Sequence, residues 1–411
     1  MPHGWFQRRG GRERRRRPTP GVGGAGPPPV ELTSRRKPAD TGVVAPRPDT
    51  EVVAFLTGDV MTARGIDQIL PHPGDPTLHE AVVSDARRYV SLAERVNGPI
   101  PAPVDFAYPW GEALEVLDDH RPDVRLINLE TSITTSSEFA PGKAVHYRMH
   151  PDNVGCLAAV RPDVCALANN HVLDFGYRGL TDTLAALADA KIGCAGAGSD
   201  VEQANRPAKV AGHAVIASVG SMSSGIPARW VAADDRPGVA LLPDLSERTA
   251  ATLAYRLLES KGHGDITIAS VHWGSNWGYE IHPAHIRFAH RLIDEGVDVV
   301  HGHSSHHPRP LEVYRGKLIL YGCGDTIDDY EGIGGYEAIR HELRLLYFAS
   351  VERSSGQLAE LRMTPMRMRR MRLEHAPHDD AEWLRVTLEQ TSREFGTAVG
   401  RTGDGLLLVS G

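Results

Sequence analysis

Seven short apolar runs, separated by longer amphipathic stretches, constrain this 411-residue chain more than any other feature. They occupy residues 52–56, 124–129, 164–168, 215–219, 266–271, 297–300 and 318–321. Their length and β-branched content suit strands buried on both faces. Between them, Leu78, Val82, Ala86, Tyr89, Ala93 and Val96 recur at three- and four-residue steps, which predicts a helix over 77–97. Residues 180–190 and 286–295 are patterned alike, with Gly193 and Gly296 as stop signals just beyond. Such alternation predicts an α/β protein with helical layers on its sheet faces.

Charge divides the chain unevenly. Residues 1–50 hold 11 Lys/Arg against 4 Asp/Glu, and the remainder 34 against 48, so a +7 arm precedes a −14 body. The arm, with arginines 14–17 and prolines 27–29, cannot bury enough apolar surface to offset its ordering entropy and is expected to be disordered. The main domain is placed at 51–352, and 353–411 as a C-terminal α+β extension packed on it. In that extension, 363–373 reads as a strand, 379–395 as a helix and 405–409 as a last strand. An acidic body argues against nucleic-acid binding. Cys156, Cys165, Cys194 and Cys323 form no C-x-x-C pair and read as reduced thiols. No apolar run reaches 18 residues, so no membrane span is expected. Gly/Pro follows the leading arginines where a secretion signal has apolar residues. The expected location is cytoplasmic, with membrane association only through a partner.

Side chains able to bind metal recur where the apolar runs end. The first gives way to Thr57-Gly58-Asp59-Val60-Met61, the second to Asn128-Leu129-Glu130 and the third to Asn169-Asn170-His171. The 266 run ends in His272-Trp273-Gly274, and the 297 run in His301-Gly302-His303, with His306 three residues on. Loops at the carboxyl ends of strands in an open α/β sheet converge on one crevice. Two carboxylates, an amide and several imidazoles are therefore expected to meet there. That donor set suits two divalent ions of the Mn, Fe, Zn or Mg group, which together clamp a tetrahedral centre. Glu130 is the carboxylate expected to be shared, His171 the general acid and Asp174 its orienting partner. A lone Gly-Asp after a strand is commonly a turn or helix cap; the signal is five such ends in register. Nine of the 20 histidines fall within 263–307, of which His282, His285 and His290 read as solvated or helix-face residues.

Arg64 and Arg148 are candidate substrate-binding residues, since a guanidinium fork holds carboxylate or phosphate. For Arg64 the structural alternative is an ion pair with an acid on its own helix. Trp273, Trp277 and Tyr279 either wall the pocket or simply pack. Glu280 and Asp325 lie near the expected mouth, as extra ligands or as supports for ligands.

In their order, Gly58-Asp59-Val60-Met61, Asn128-Leu129-Glu130, residues 167–174, His272-Trp273-Gly274 and Gly302-His303-Ser304-Ser305-His306 resemble the motifs of the CapA family. That family works in poly-gamma-glutamate capsule synthesis and belongs to the calcineurin-like metallophosphoesterase superfamily. The resemblance covers about residues 51–350. It implies a four-layer α/β/β/α sandwich of two mixed sheets and two divalent metal ions. Asp59 and His306 match the ligands of one ion, and Asn170, His272 and His303 those of the other. Glu130 matches the bridging carboxylate and His171 the general acid. Three positions depart from the superfamily: Met61 stands in place of a histidine, Glu130 in place of an aspartate, and the final histidines are three apart instead of two. The implied function is metal-dependent hydrolysis or transfer at an amide or phosphoester bond, on a small molecule or gamma-glutamyl polymer, with capsule synthase subunits as partners. A non-catalytic assembly factor for a polymer synthase, and a cytosolic metallophosphoesterase, are the alternatives.

Overall fold

The computed structural model describes residues 49–402 and 407–410, so the basic arm expected to be disordered lies outside the described residues. The chain enters the larger of two sheets with β1 (Glu51–Val60), β2 (Val124–Leu129), β3 (Val164–Ala166) and β4 (Gly193–Ala195), which are successive parallel neighbours. It crosses to the smaller sheet with β5 (Ala208–Val210), β6 (Ala214–Gly220), β7 (Ile266–His272), β8 (Val299–His303), β9 (Leu311–Tyr314) and β10 (Lys317–Leu320). These lie in the spatial order β9-β10-β8-β7-β6-β5. The chain then returns to the larger sheet through β11 (Asp325–Ile327), β12 (Leu343–Glu352), β13 (Leu358–Arg369), β14 (Arg372–His375), β15 (Ala398–Arg401) and β16 (Leu407–Ser410). Among the described residues the larger sheet has ten strands and the smaller six, and both mix parallel with antiparallel pairs.

Period-two alternation explains the layering. Val52, Ala54 and Leu56 of β1, with Leu126 of β2, face Ile216, Ile268 and Val299 of the smaller sheet across one buried core. The intervening residues Val215, Ala217 and Val219, with Val271 and Val300, point the other way. They meet Leu253 and Leu257 of α4 (Glu247–Ser260), and Phe288 and Leu292 of α5 (Pro283–Asp294). The helix α1 (Arg87–Asn97) packs on the short helical turn Gly65–Ile69, while α2 (Ala113–His120) and α3 (Gly176–Asp189) lie on the far face of the larger sheet. There His120 at the end of α2 stacks on Phe348, which stacks on Phe55. The architecture is the expected α/β/β/α sandwich of two mixed sheets, with strands at all seven apolar runs.

Several local expectations change. The helix predicted over 77–97 begins only at Arg87. Residues 77–86 form a closed turn, with Leu78 N donating to Ser84 O and Thr77 bridged to Asp85. Buried Arg64 anchors this turn through Glu80, whose Oε1 accepts from Arg64 Nη1 at 2.9 Å. After α3 the left-handed residue is Lys191 (φ 58°), while Gly193 opens β4. Residues 363–373 are two strands, turned by Arg370 and Met371, both at positive φ. Residues 358–369 pair with β12 as a full member of the larger sheet, and α6 (His378–Ser392) sends Leu384 and Leu388 into the inter-sheet core.

Candidate metal centre

Strand register assembles the site. In β1, Asp59 lies level with Asn128 of β2 on one side and with Asp325 of β11 on the other. In the smaller sheet, His272 of β7 lies level with His303 of β8. The two edges meet where His301 Nε2 reaches Thr57 O of β1 at 2.6 Å. Glycine is obligatory at this junction: a Cβ on Gly58 would lie 1.5 Å from Gly324 O.

The six residues expected as ligands come together here. Asp59 is common to two groups whose donor atoms lie within 4.8 Å of one another, Asp59–His272–His303 and Asp59–His306–Asp325. Glu130, the carboxylate expected at the shared corner, lies beside it. Asn128 Nδ2 donates to Asp59 Oδ1 at 2.7 Å and to Glu130 Oε2 at 3.1 Å, and Glu130 Oε2 is 3.9 Å from His272 Nδ1. Asn170 Oδ1 meets His272 Nε2 at 3.0 Å. Asp325 was weighed in the sequence only as an extra ligand or support, although Gly324-Asp325 after a strand repeats Gly58-Asp59. Glu280 is exposed and Trp273 is packed on His285 and Tyr321, so neither contributes. Trp277 is half-buried, 5.2 Å from the His306 ring and stacked on Tyr336.

A hydrogen-bond relay sets the tautomer of His303. His301 Nε2–H donates to Thr57 O, so neutral His301 accepts at Nδ1 from the Ser270 hydroxyl (3.1 Å). The Ser270 oxygen then accepts from His303 Nε2–H at 2.9 Å, which leaves the His303 Nδ1 lone pair facing inward. With His272 Nε2–H on the Asn170 carbonyl, His272 also presents Nδ1 inward, and the two Nδ1 atoms are 2.7 Å apart. Two lone pairs aimed at one point need a proton or a cation between them.

The electrostatics make the same demand. Burial first, then Asp325, raises the pKa of Asp59 to about 7. Burial first, then Asp59, raises that of Glu130, and burial with Asp328 raises that of Asp325. Burial also holds His272, His303 and His306 below the ordinary imidazole range, hence neutral and able to ligate. Asp59 Oδ2 and Asp325 Oδ2 are buried without a hydrogen-bond partner. Orphan carboxylate oxygens beside inward imidazole lone pairs fit divalent cations.

Beside the cluster, His171 Nδ1 is 2.6 Å from Asp174 Oδ2, which also accepts Tyr147 N. Lys143 was not singled out in the sequence, where its Pro-Gly-Lys setting reads as an ordinary turn. It donates to Asp174 Oδ1 and Asn170 O, and it lies 3.3 Å from His171 Nδ1. Burial pushes up the Asp174 pKa, but His171 and Lys143 outweigh it and hold the group below the usual carboxylate range. Asp174 therefore accepts the His171 Nδ1–H, and Nε2 lies 3.8 Å from Glu130 Oε1. Burial chiefly, with Lys143 adding, lowers the His171 pKa to about 4.

Neither arginine nominated for substrate stands free. Arg64 spans Asp329, Glu80 and the Tyr89 hydroxyl, with Nε 3.1 Å from Asp329 Oδ2 and Nη1 2.9 Å from Glu80 Oε1. Its partners come from elsewhere in the chain instead of its own helix. Arg148 donates to Ser136 O (2.6 Å) and Asp75 O (2.7 Å).

A family model described as bacterial capsule synthesis protein PGA_cap matches residues 53–330. A protein of Mycobacterium tuberculosis, described as a "probable polyglutamine synthesis accessory protein", is 58% identical over 89% of this chain and 97% of its own length. The Bacillus subtilis protein described as "PGA biosynthesis protein CapA" is 30% identical over 71% of this chain and 67% of its own length. A solved phosphatase structure from Mycoplasma pneumoniae overlays with TM-score 0.40 and 10% identity, covering 80% of this chain and 95% of that one, a likeness too distant to carry an assignment. No helix among the described residues is long and apolar enough to cross a membrane.

Proposed function

We propose, for a chain that belongs to the bacterial capsule synthesis protein PGA_cap family, a metal-dependent hydrolysis or transfer at an amide or phosphoester bond during gamma-glutamyl polymer synthesis. The observation that carries this reading is the neighbourhood of two chemistries. A ligand cluster centred on Asp59 lacks positive charge, and a histidine held by Asp174 and Lys143 stands at its edge. Asp59, Glu130, Asn170, His272, His303 and His306 are the residues assigned to two divalent ions of the Mn, Fe, Zn or Mg group. When bound, such ions supply Lewis acidity toward an acyl or phosphoryl centre.

The chain's own residues supply the rest. Asp174 orients His171 by accepting a hydrogen bond from its Nδ1–H, which leaves Nε2 as the atom that exchanges the proton during turnover. At neutral pH that nitrogen is unprotonated, so His171 first takes a proton from the attacking water and then delivers it to the leaving group. Lys143 braces Asp174 and the Asn170 carbonyl, tying the histidine to the ligand loop. Trp277 lies beside His306 as a wall for the substrate. The names of the relatives point to polymer synthase subunits as partners.

The test is metal analysis of the purified protein beside Asp59→Asn and His303→Ala, with turnover assays on phosphodiester and gamma-glutamyl amide substrates in Mn. We expect about two ions per chain, fewer in both variants, and turnover that His171→Gln abolishes. Unchanged metal content in both variants overturns the site. Metal retained without any turnover replaces the catalytic reading with that of a non-catalytic assembly factor.

A further inference from the structure

We infer that Asp325 is itself a metal ligand, and that the two halves of the centre are chemically unequal: one rich in imidazole nitrogen, the other in carboxylate oxygen. This rests on the metal-centre reading above and adds to it a residue and a selectivity.

Three observations carry it. First, β11 runs parallel to β1 with Asp325 level with Asp59, so the fold delivers a second Gly-Asp to the same edge. Second, each of these aspartates has one oxygen engaged and one free. Asn128 and Ser304 N hold Asp59 Oδ1, and His306 Nδ1 holds Asp325 Oδ1 at 2.9 Å, whereas both Oδ2 atoms are buried and unpartnered. Third, this half has little imidazole nitrogen to offer. Met61 Sδ, a poor donor to hard cations, accepts from Tyr330 OH at 3.6 Å. His306 donates Nδ1–H to Asp325, and its Nε2 accepts from the Asn276 amide at 2.8 Å. Two orphan carboxylate oxygens thus join His306 Nε2 as the donors of the first half, while two inward Nδ1 lone pairs are those of the second.

Ligand chemistry then sorts the ions. Carboxylate oxygens favour hard cations such as Mg or Mn, and imidazoles favour borderline ones such as Zn. The backbone holds Asp325 in place, because Gly324 accepts Asp59 N at 2.9 Å and Arg344 pairs with Asp328 in the same loop.

The experiment titrates metal-free protein with Mn and with Zn separately by calorimetry, and follows the rise in melting temperature with each ion. It compares wild type, Asp325→Asn and His272→Asn. Asn keeps an acceptor for His306, and Asp325→Ser serves if that variant misfolds. We expect Asp325→Asn to bind Mn at least about tenfold more weakly while keeping one Zn, and His272→Asn to show the reverse. Asp325→Asn with wild-type affinity for both ions, or two variants that weaken both ions equally, overturns the inference but leaves the centre standing. Wild type that binds neither ion brings down the reading on which it rests.

Discussion

Two buried polar clusters flank the same stretch of backbone, and they differ in one respect. Around Arg64, charges cancel internally: the guanidinium meets Asp329, Glu80 and the Tyr89 hydroxyl, lies 3.9 Å above the Tyr89 ring, and leaves no partner unmet. Around Asp59, three carboxylates and three imidazoles are buried together, and two of the carboxylate oxygens have no hydrogen-bond partner. Both are rich in ionisable groups, and both shift pKa values strongly. Burial and perturbed titration therefore do not separate architecture from chemistry here; partner saturation does.

The largest effect that tests this contrast is Arg64→Met. Removing the guanidinium leaves Glu80 and Asp329 buried and unpaired, and we expect a loss of about 3–5 kcal/mol in chemical denaturation with metal content per folded chain unchanged. Full stability with weakened substrate affinity would move Arg64 into the site instead. Next comes Asp174→Asn, which removes the carboxylate shared by Lys143 and His171. Turnover should fall about 100-fold while both ions stay bound; loss of metal would make Asp174 a structural support of the ligand loop.

The smallest concerns His285, a buried histidine outside the centre, stacked on Trp273. Burial lowers its pKa from 6.5 to about 4. The unfolded chain takes up a proton below the ordinary value that the folded protein refuses. Its contribution to stability is therefore present above pH 6.5 and is lost as pH falls toward 4. Replacing it in His285→Gln should flatten the stability slope across that window by about 2 kcal/mol, read from denaturation midpoints at several pH values. An unchanged slope would mean the ring is protonated in the fold.

Much of the candidate centre was legible because strand ends are a local feature. Asp59, Glu130, Asn170, His272 and His303 each follow an apolar run, and the crevice at the carboxyl ends of strands gathers them whatever the loops between. The three histidines read as solvated or helix-face residues sit at or on α5: His282 caps it, His285 lies on its buried face against Trp273, and His290 pairs with Glu312. Arg64 was harder, since one of its two acids lies 265 residues away and nothing local announces it. Lys143 sits on a turn with no periodicity to betray an inward side chain.

From the amino-acid order alone came an α/β protein, its strands and the residue types at their ends, because apolar periodicity and turn residues act over a few neighbours; the two-sheet sandwich came only with the family resemblance of the motifs. Tertiary structure alone decided which donor is shared and which is spoken for. Asp59 belongs to both donor groups, with Glu130 beside it, because β1 is flanked by β2 and β11 in that register. His303 points its lone pair inward because a carbonyl on the other sheet orders Ser270 and His301 behind it. Register between strands and contact between sheets are products of the whole packed core, and no window of sequence contains them.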